Sequence, residues 1–220
     1  MGGSAISGGF WTLERTAQFL GRRAAIRKGL GRGRAPPFLL FFTDPVRTPQ
    51  PEAIVRRLPR GTGVVFRAFG AADADARGLA LAAVARARGL VLLVGADDRL
   101  AARIGAAGVH LPERLAHRAR RLKAAHPRWI VTAAAHSARA VRQALAYGAD
   151  AVAVSAVFES RSASAGAPLG ALRLAILARR AGGPVIGLGG VDNKKARLLK
   201  DTGLAGLAAV DAFGDRAPRT

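Results

Sequence analysis

The chain contains no cysteine. Disulfide bonds, cysteine nucleophiles and thiolate metal sites are therefore excluded, and a chain of this kind fits a reducing compartment, so we expect a cytoplasmic protein. No apolar run approaches the roughly 20 residues that a membrane-spanning helix needs, so no membrane partner is expected. The first residues do not have the pattern of a secretory signal peptide. An arginine-rich, acid-poor start also fits an organelle transit peptide, and composition leaves that alternative open.

Acidic residues are scarce: 14 aspartates and glutamates stand against 35 lysines and arginines, which gives a net charge of +21. Such an excess favours anionic partners such as phosphates, nucleic acids or membrane surfaces. The alternative, which we favour, is a compositional drift toward alanine, arginine and glycine. The arginines are scattered apart from a cluster at residues 22–34, and aromatic residues make up only 5% of the chain, so no basic, aromatic-rich stretch predicts a nucleic-acid surface. We expect a phosphorylated small molecule as partner and no specific nucleic acid; whether the chain forms a homo-oligomer stays open.

Short apolar runs alternate with helical segments along most of the chain. The predicted strands are residues 38–42, 63–67, 90–94, 108–111, 129–133, 151–154, 184–188 and 204–208. The predicted helices between them are residues 51–58, 73–88, 98–104, 114–125, 138–147, 169–180 and 193–201. Apolar strands separated by helices indicate parallel pairing with crossover helices. Eight of them at near-regular spacing predict an α/β fold, a closed parallel (β/α)8 TIM barrel.

The barrel is predicted over residues 35–220, after a Gly/Arg-rich extension over residues 1–34. Within the extension we expect one helix over residues 12–28, with Thr12 as its cap. The last helix of the barrel is truncated, because only residues 209–220 follow the eighth strand. The N-terminal helix is therefore expected to cover that side, since a gap would expose the apolar flank of the neighbouring strands.

Functional residues of such a barrel lie at the carboxyl ends of its strands and in the loops that follow. His136 follows the fifth predicted strand, and its imidazole can give or take a proton near pH 7. A polar rim residue hydrogen-bonded to a neighbouring strand explains His136 equally well. Arg67 ends the second predicted strand, where it would serve an anion or pair with Asp44.

A phosphate site is predicted at the loops after the sixth and seventh strands. Gly189 and Gly190 precede a helix, and glycines there let backbone N–H groups approach an anion at the helix start. A tight strand-to-helix turn is the structural alternative. Ser160, Arg161 and Ser162 lie in the loop after the sixth strand, and hydroxyls beside an arginine suit a phosphate.

Three carboxylates near the third and fourth strands are the best candidates for a metal site. Asp97 and Asp98 follow the third strand and Glu113 follows the fourth, and carboxylates with waters suit magnesium. Asp98, however, has the position of a helix cap, and Arg99 stands beside it. We therefore predict no metal site.

Several short motifs occur in a fixed order along residues 38–213. They are Phe42-Thr43-Asp44, Val65-Phe66-Arg67, Gly108-Val109-His110-Leu111, Ala135-His136-Ser137, Tyr147-Gly148-Ala149-Asp150, Val157-Phe158, and residues 184–191 with the Gly189-Gly190 pair. In order and spacing they resemble the thiamine phosphate synthase and thiazole tautomerase family. The resemblance implies a (β/α)8 barrel that binds a thiazole phosphate.

For a synthase, the resemblance implies that an aminopyrimidine diphosphate is joined to a thiazole phosphate, with magnesium and with release of diphosphate. The part of the family pattern that binds diphosphate and magnesium, the diphosphate half, is largely absent from this sequence. Of its Gln-x-Arg-x-Lys motif only Arg67 matches, and Phe69 stands at the lysine. Ala163 replaces the lysine of the Thr-x-Thr-Lys loop. A family magnesium aspartate falls near Leu115, and Asp97 matches another only after a small shift.

The thiazole-phosphate half matches better. Its implied binding residues are Ser160, Arg161, Ser162, Gly189, Gly190 and Val210. Asp211 replaces a family serine, and its carboxylate would oppose a phosphate unless Arg161 compensates. The tautomerase branch needs neither diphosphate nor magnesium, and His136 takes the place of its acid/base histidine. We expect tautomerase-like proton transfer without a cofactor; a synthase with magnesium and a catalytically silent relative that binds a phosphorylated ligand are the alternatives.

Overall fold

Eight parallel strands close a barrel in which sequence neighbours pair in order and β8 pairs with β1. The computed structural model describes residues 12–28, 35–160 and 166–213. The strands are β1 Leu39–Phe42, β2 Gly63–Phe66, β3 Val91–Gly95, β4 Gly108–Leu111, β5 Ile130–Ala135, β6 Ala151–Val154, β7 Val185–Leu188 and β8 Gly206–Ala209. The predicted (β/α)8 barrel is confirmed. Each end of every predicted strand lies within two residues of the corresponding end of the observed strand.

The helices lie around the outside of the barrel. They are α1 Leu13–Lys28, α2 Pro51–Val55, α3 Ala74–Arg88, α4 Asp98–Arg103, α5 Ala119–Ala125, α6 Ala138–Ala146, α7 Gly170–Arg180 and α8 Asn193–Ala196, with 3-10 helices at Glu113–Arg118, Arg197–Leu199 and Asp211–Phe213. None of the helices in the described ranges is long and apolar enough to cross a membrane.

Three predicted helices differ from the observed ones. The helix predicted over residues 51–58 is the shorter α2, which ends at Val55. The helix predicted over residues 114–125 is a 3-10 helix followed by α5, because the chain turns first through a three-residue step in which the Leu115 N–H donates to Pro112. The helix predicted over residues 193–201 is the single turn α8 followed by a 3-10 turn. The Thr202 hydroxyl donates to the Leu199 carbonyl at 2.6 Å and ends it.

The strands separate two apolar cores. The inner core contains only strand residues: Leu40, Phe42, Val65, Leu93, Ile130, Ala151, Ala153, Ile186 and Ala208. Alternate residues such as Leu39 and Phe41 point outward and pack with the helices. Each strand therefore buries both faces, as parallel strands under helices do. Burial of a leucine or phenylalanine side chain contributes about 1.5–3 kcal/mol to stability.

Helix α1 covers the seam between β8 and β1. Its residues Leu13, Ala17, Leu20 and Ala24 are buried, and it contacts β8, β1 and α8. Thr12 caps it as expected, because the Thr12 hydroxyl accepts from the Arg15 N–H at 3.2 Å. After β8 the described chain has only the 3-10 turn, and residues 214–220 lie outside the described ranges. The division into an extension and a barrel at residue 34 stays a prediction, since residues 29–34 also lie outside them.

We predict that Gly21→Ala destabilises the protein by about 1–3 kcal/mol. A Cβ at Gly21 would lie 2.6 Å from the Cβ of Phe38, so α1 would have to move off the barrel. Helix propensity alone predicts the opposite sign, because alanine is favoured over glycine in a helix interior by roughly 0.5–1 kcal/mol. Urea unfolding measures the change, and the exposed neighbour Arg22→Ala is the control. A stabilised Gly21→Ala protein would contradict close packing of α1.

His110 lies inside the barrel near the carboxyl end of β4. It is 7% exposed, its Nδ1 lies 2.9 Å from the Thr132 hydroxyl, and its ring meets Phe42 edge-on at 4.9 Å. Burial, followed by the nearby charge of Arg67, lowers the pKa of His110 to about 3. The imidazole is therefore neutral at physiological pH and is part of the barrel filling, which is the role that its position within a strand predicts.

We predict that His110 makes the fold acid-sensitive. The unfolded chain binds this proton with a pKa of about 6.5, whereas the folded chain binds it only near pH 3. Stability from this residue is therefore full above pH 6.5 and falls as pH drops toward 3. Between pH 7 and pH 5 the loss is about 2 kcal/mol. Urea unfolding at both pH values measures the decrease in the free energy of unfolding from pH 7 to pH 5. In His110→Gln this decrease should be smaller than in the unaltered protein by that amount, whereas the exposed control His117→Gln should show the full decrease. Equal losses in all three proteins would contradict the prediction.

Candidate functional site

The carboxyl ends of all eight strands meet at one mouth of the barrel, and the predicted site residues are distributed around it. Arg67 follows β2, His136 follows β5, Ser160 lies after β6, and Val210 follows β8. Four of the predicted residues also line one cavity: Ser160, Gly189, Gly190 and Val210. Arg67 and His136 lie outside its lining, and Arg161 and Ser162 lie outside the described residues.

The cavity has a volume of about 240 Å³ and lies between the loops that follow β1, β6, β7 and β8. Its lining includes two cationic residues, Arg47 and Lys195, and three acidic ones, Glu159, Asp192 and Asp211. The mixture of charges means that the ion pairs among these side chains decide which ligand the cavity accepts.

The backbone at Gly189 and Gly190 requires glycine, and among the residues that the structure describes it leaves two N–H groups without a protein acceptor. Gly189 and Gly190 have φ values of +92° and +64°, and a Cβ at Gly190 would overlap the carbonyl oxygen of Glu159. Only glycine therefore lets the loop after β7 pack against the loop after β6. Within the described part of the chain, the N–H groups of this pair donate to no acceptor. They remain available to a ligand in the cavity.

Helix α8 adds little to this site. It is a single turn, and the Asp192 side chain already accepts its Lys195 N–H at 2.8 Å. An anion in this cavity would therefore bind to the loop amides and the surrounding side chains, and not to the start of a helix.

Two cations of the cavity were missed by the sequence analysis. The Nζ of Lys195 lies 3.8 Å from Asp192 and 5.6 Å above the Phe158 ring. Arg47 lies in the loop after β1 and forms ion pairs with Asp44 at 3.1 Å and Asp211 at 3.4 Å. The spacing Asp44-x-x-Arg47 was the available signal, because the Asp44 carboxylate accepts the N–H groups of Val46 and Arg47 in a tight Asx turn.

Arg67 is occupied by neighbours rather than directed at the cavity. Its Nε donates to the Thr43 carbonyl at 2.7 Å, and its Nη2 donates to Asp44 at 3.1 Å. The guanidinium lies within 5.7 Å of the Phe42 ring and 5.2 Å of the Phe69 ring. The pairing with Asp44 that the sequence left open is the one present.

Asp44 is the centre of this arrangement. Burial opposes ionisation of its carboxyl, but the backbone and guanidinium hydrogen bonds from Arg47 outweigh burial and hold the pKa of Asp44 below its usual range. Burial also lowers the pKa of Arg67, against the attraction of Asp44. One ionised carboxylate thus holds two guanidinium groups at the mouth.

His136 is held by a single carboxylate. Glu113 accepts both the backbone N–H of His136 at 2.8 Å and its ring Nδ1 at 2.9 Å. The His136 side chain is 47% exposed. Because a carboxylate only accepts hydrogen bonds, the contact places the ring proton on Nδ1 and leaves Nε2 as the basic nitrogen. The same contact also fits the alternative that His136 is only a polar residue at the rim of the barrel, bonded to a neighbouring strand. Glu113 lies directly after that neighbouring strand, β4.

The carboxylates considered for magnesium are engaged elsewhere. The helix cap expected at Asp98 is formed by Asp97, whose carboxylate accepts the Leu100 N–H at 2.8 Å. Asp98 is instead the first residue of α4 and pairs with Arg118 at 2.9 Å. Within the described ranges, no group of three or more histidine or acidic side chains could hold a metal ion. Asp97, Asp98 and Glu113 therefore each have a protein partner in the described structure.

Known proteins share this barrel and parts of its sequence. A "Putative thiamine-phosphate synthase 2" of Aquifex aeolicus is 30% identical over 123 residues, which cover 56% of this chain and 66% of that protein, slightly less than two thirds of its length. A thiamine-phosphate synthase of Thiobacillus denitrificans is 33% identical over 145 residues, or 66% of this chain and 69% of that protein. The structure of a thiamine phosphate pyrophosphorylase from Pyrococcus furiosus has the same fold, with a TM-score of 0.69, 23% identity, and coverage of 81% of this chain and 88% of that one.

The family match extends over nearly the whole barrel. A sequence model of the family described as thiamine monophosphate synthase matches residues 39–213, from the first residue of β1 to the last described residue. The resemblance predicted from the motifs is confirmed: the chain belongs to the thiamine monophosphate synthase family.

Proposed function

We propose that the chain is a thiazole tautomerase-like isomerase, which binds a phosphorylated thiazole at the mouth and moves a proton with His136. The observation that carries the proposal is the pair of hydrogen bonds between Glu113 and His136. They orient the imidazole and leave Nε2 with a lone pair. Nε2 would remove a proton from one atom of the ring, and the resulting imidazolium, stabilised by Glu113, would return it to another atom. No net proton is consumed.

The cavity supports the binding half of the proposal. The residues Gly189, Gly190, Ser160 and Lys195 line it. Backbone amides and an ammonium are the donors that hold phosphate in proteins. The register of β5 and β6 pairs Ala135 with Val154, so His136 adjoins the loop that carries Ser160. A ligand anchored in the cavity would thus extend toward His136.

Thiamine phosphate synthesis is the second candidate, and the names of the relatives favour it. That reaction releases diphosphate, whose developing charge needs cations in the transition state. In this chain Arg67 is paired with Asp44, and Asp97 and Asp98 are engaged at α4. Each of these side chains would have to give up its present contact to bind diphosphate or a metal ion.

We predict that His136→Ala lowers thiazole-phosphate tautomerisation by about 10²–10⁴-fold, which is the usual contribution of a general acid–base group. Exchange of the substrate proton with deuterated water, followed by NMR, measures the reaction directly. Glu113→Gln should lower kcat with little change in KM, because the amide still holds the ring but stabilises the imidazolium less. The exposed control His117→Ala should behave as the unaltered protein. Full activity of His136→Ala would contradict the proposal.

A second assay separates the two candidate reactions. We expect no thiamine phosphate when the protein is supplied with the aminopyrimidine diphosphate, the thiazole phosphate and magnesium, because Arg67, the cation expected to serve the diphosphate, is paired with Asp44. Product is measured by conversion to a fluorescent thiochrome. Robust, magnesium-dependent formation of thiamine phosphate would contradict the tautomerase proposal and show that the protein is a synthase. If neither reaction occurs while the thiazole phosphate binds, the chain is a catalytically silent binding protein.

A further inference from the structure

Asp211 is an unexpected side chain in a cavity proposed for phosphate. It lines the cavity beside Val210, just after the end of β8. A carboxylate repels a phosphate, and the repulsion is strong where the surroundings exclude water. Something must neutralise Asp211 or draw it aside when the ligand binds.

Arg47 meets that need by geometry. It enters from the loop after β1, across the closed seam of the barrel, and its Nη1 lies 3.4 Å from the Asp211 carboxylate. The other side of its guanidinium is fixed, because Nη2 donates to Asp44 at 3.1 Å and the Arg47 backbone N–H donates to the same carboxylate at 3.0 Å. The side chain is only 19% exposed. Asp44 therefore holds Arg47 in place with Nη1 directed at the cavity.

The two contacts of Arg47 differ in strength. The Asp44 contact is short and is supported by the Asx turn, whereas the Asp211 contact is long and the Asp211 side chain is 39% exposed. An arriving phosphate can gain a charge-assisted contact with Nη1 only if Asp211 releases it.

On the basis of the proposed function, we propose that Arg47 is a phosphate-binding residue of this cavity and that Asp211 is its internal competitor. In the empty site Asp211 occupies Nη1. A bound phosphate takes over that contact, the carboxylate turns outward to solvent, and Asp44 keeps the guanidinium in position. Asp211 thereby lowers the affinity for the anion.

A double-mutant cycle with inorganic phosphate as the probe tests the exchange. Isothermal titration at low ionic strength is run on the full chain, on Asp211→Asn, on Arg47→Gln and on the double variant. We expect Asp211→Asn to tighten phosphate binding by about tenfold and Arg47→Gln to weaken it by about tenfold, the usual effect of one hydrogen bond to a charged group. In the Arg47→Gln background, removal of Asp211 should have a much smaller effect, because no contact remains to compete for.

The cycle distinguishes competition from simple repulsion. If Asp211→Asn tightens binding by the same factor with and without Arg47, the carboxylate acts only through its charge and the competitor role is wrong. Asp201→Asn is the matched control, because it removes the same charge at the opposite end of the barrel, before β8. It should leave phosphate affinity almost unchanged. Thermal melts of every variant confirm that each one is folded.

Failure of the inference differs from failure of the proposed function. Phosphate binding that does not change in Arg47→Gln overturns the inference and leaves the phosphate site intact. Binding by Asp211→Asn but not by the unaltered chain supports the competitor role in its strongest form. If none of the four proteins binds phosphate, both the phosphate site and the inference are overturned. If the four affinities are as expected but the protein catalyses no tautomerisation, only the proposed reaction is overturned.

Discussion

Pairing between β1 and β8 closes the barrel, and the electrostatics of the mouth depend on that closure. Phe41 lies opposite Ala209, so the loop that starts at Thr43 adjoins the loop that starts at Val210. Arg47 and Asp211, 164 residues apart in the chain, meet only for this reason. An open sheet would leave the two groups at opposite edges, so this ion pair could not form.

Helix α1 protects the same seam from outside. The barrel has a helix or turn after each strand, but after β8 the described chain supplies only three residues of 3-10 helix. Helix α1 packs its buried face against β8 and β1 and donates its Leu13 N–H to Asn193 at the start of α8 at 2.9 Å. The outer flank of the closing strands is thereby buried. Helix α1 is thus part of the packing of the barrel.

The mouth divides into two halves with different chemistry. On the side of β1 and β2, Asp44 and Arg67 satisfy one another, so little charge is left for a diphosphate. On the side of β6 to β8, loop amides and Lys195 surround an open cavity. His136 and Glu113 lie between the halves, after β5 and β4.

The amino-acid sequence by itself determined the fold class, the order of the strands and the family, because strands buried on both faces appear as apolar runs and their loops follow in fixed order. It also placed His136 and Gly189 at the mouth, since carboxyl ends of parallel strands share one side. The partners of these residues were decided only by the tertiary structure. Arg47 reaches Asp211, and Asp97 rather than Asp98 caps α4, through local backbone geometry and barrel closure. Contacts between loops depend on distances in space, which residue spacing along a chain does not encode.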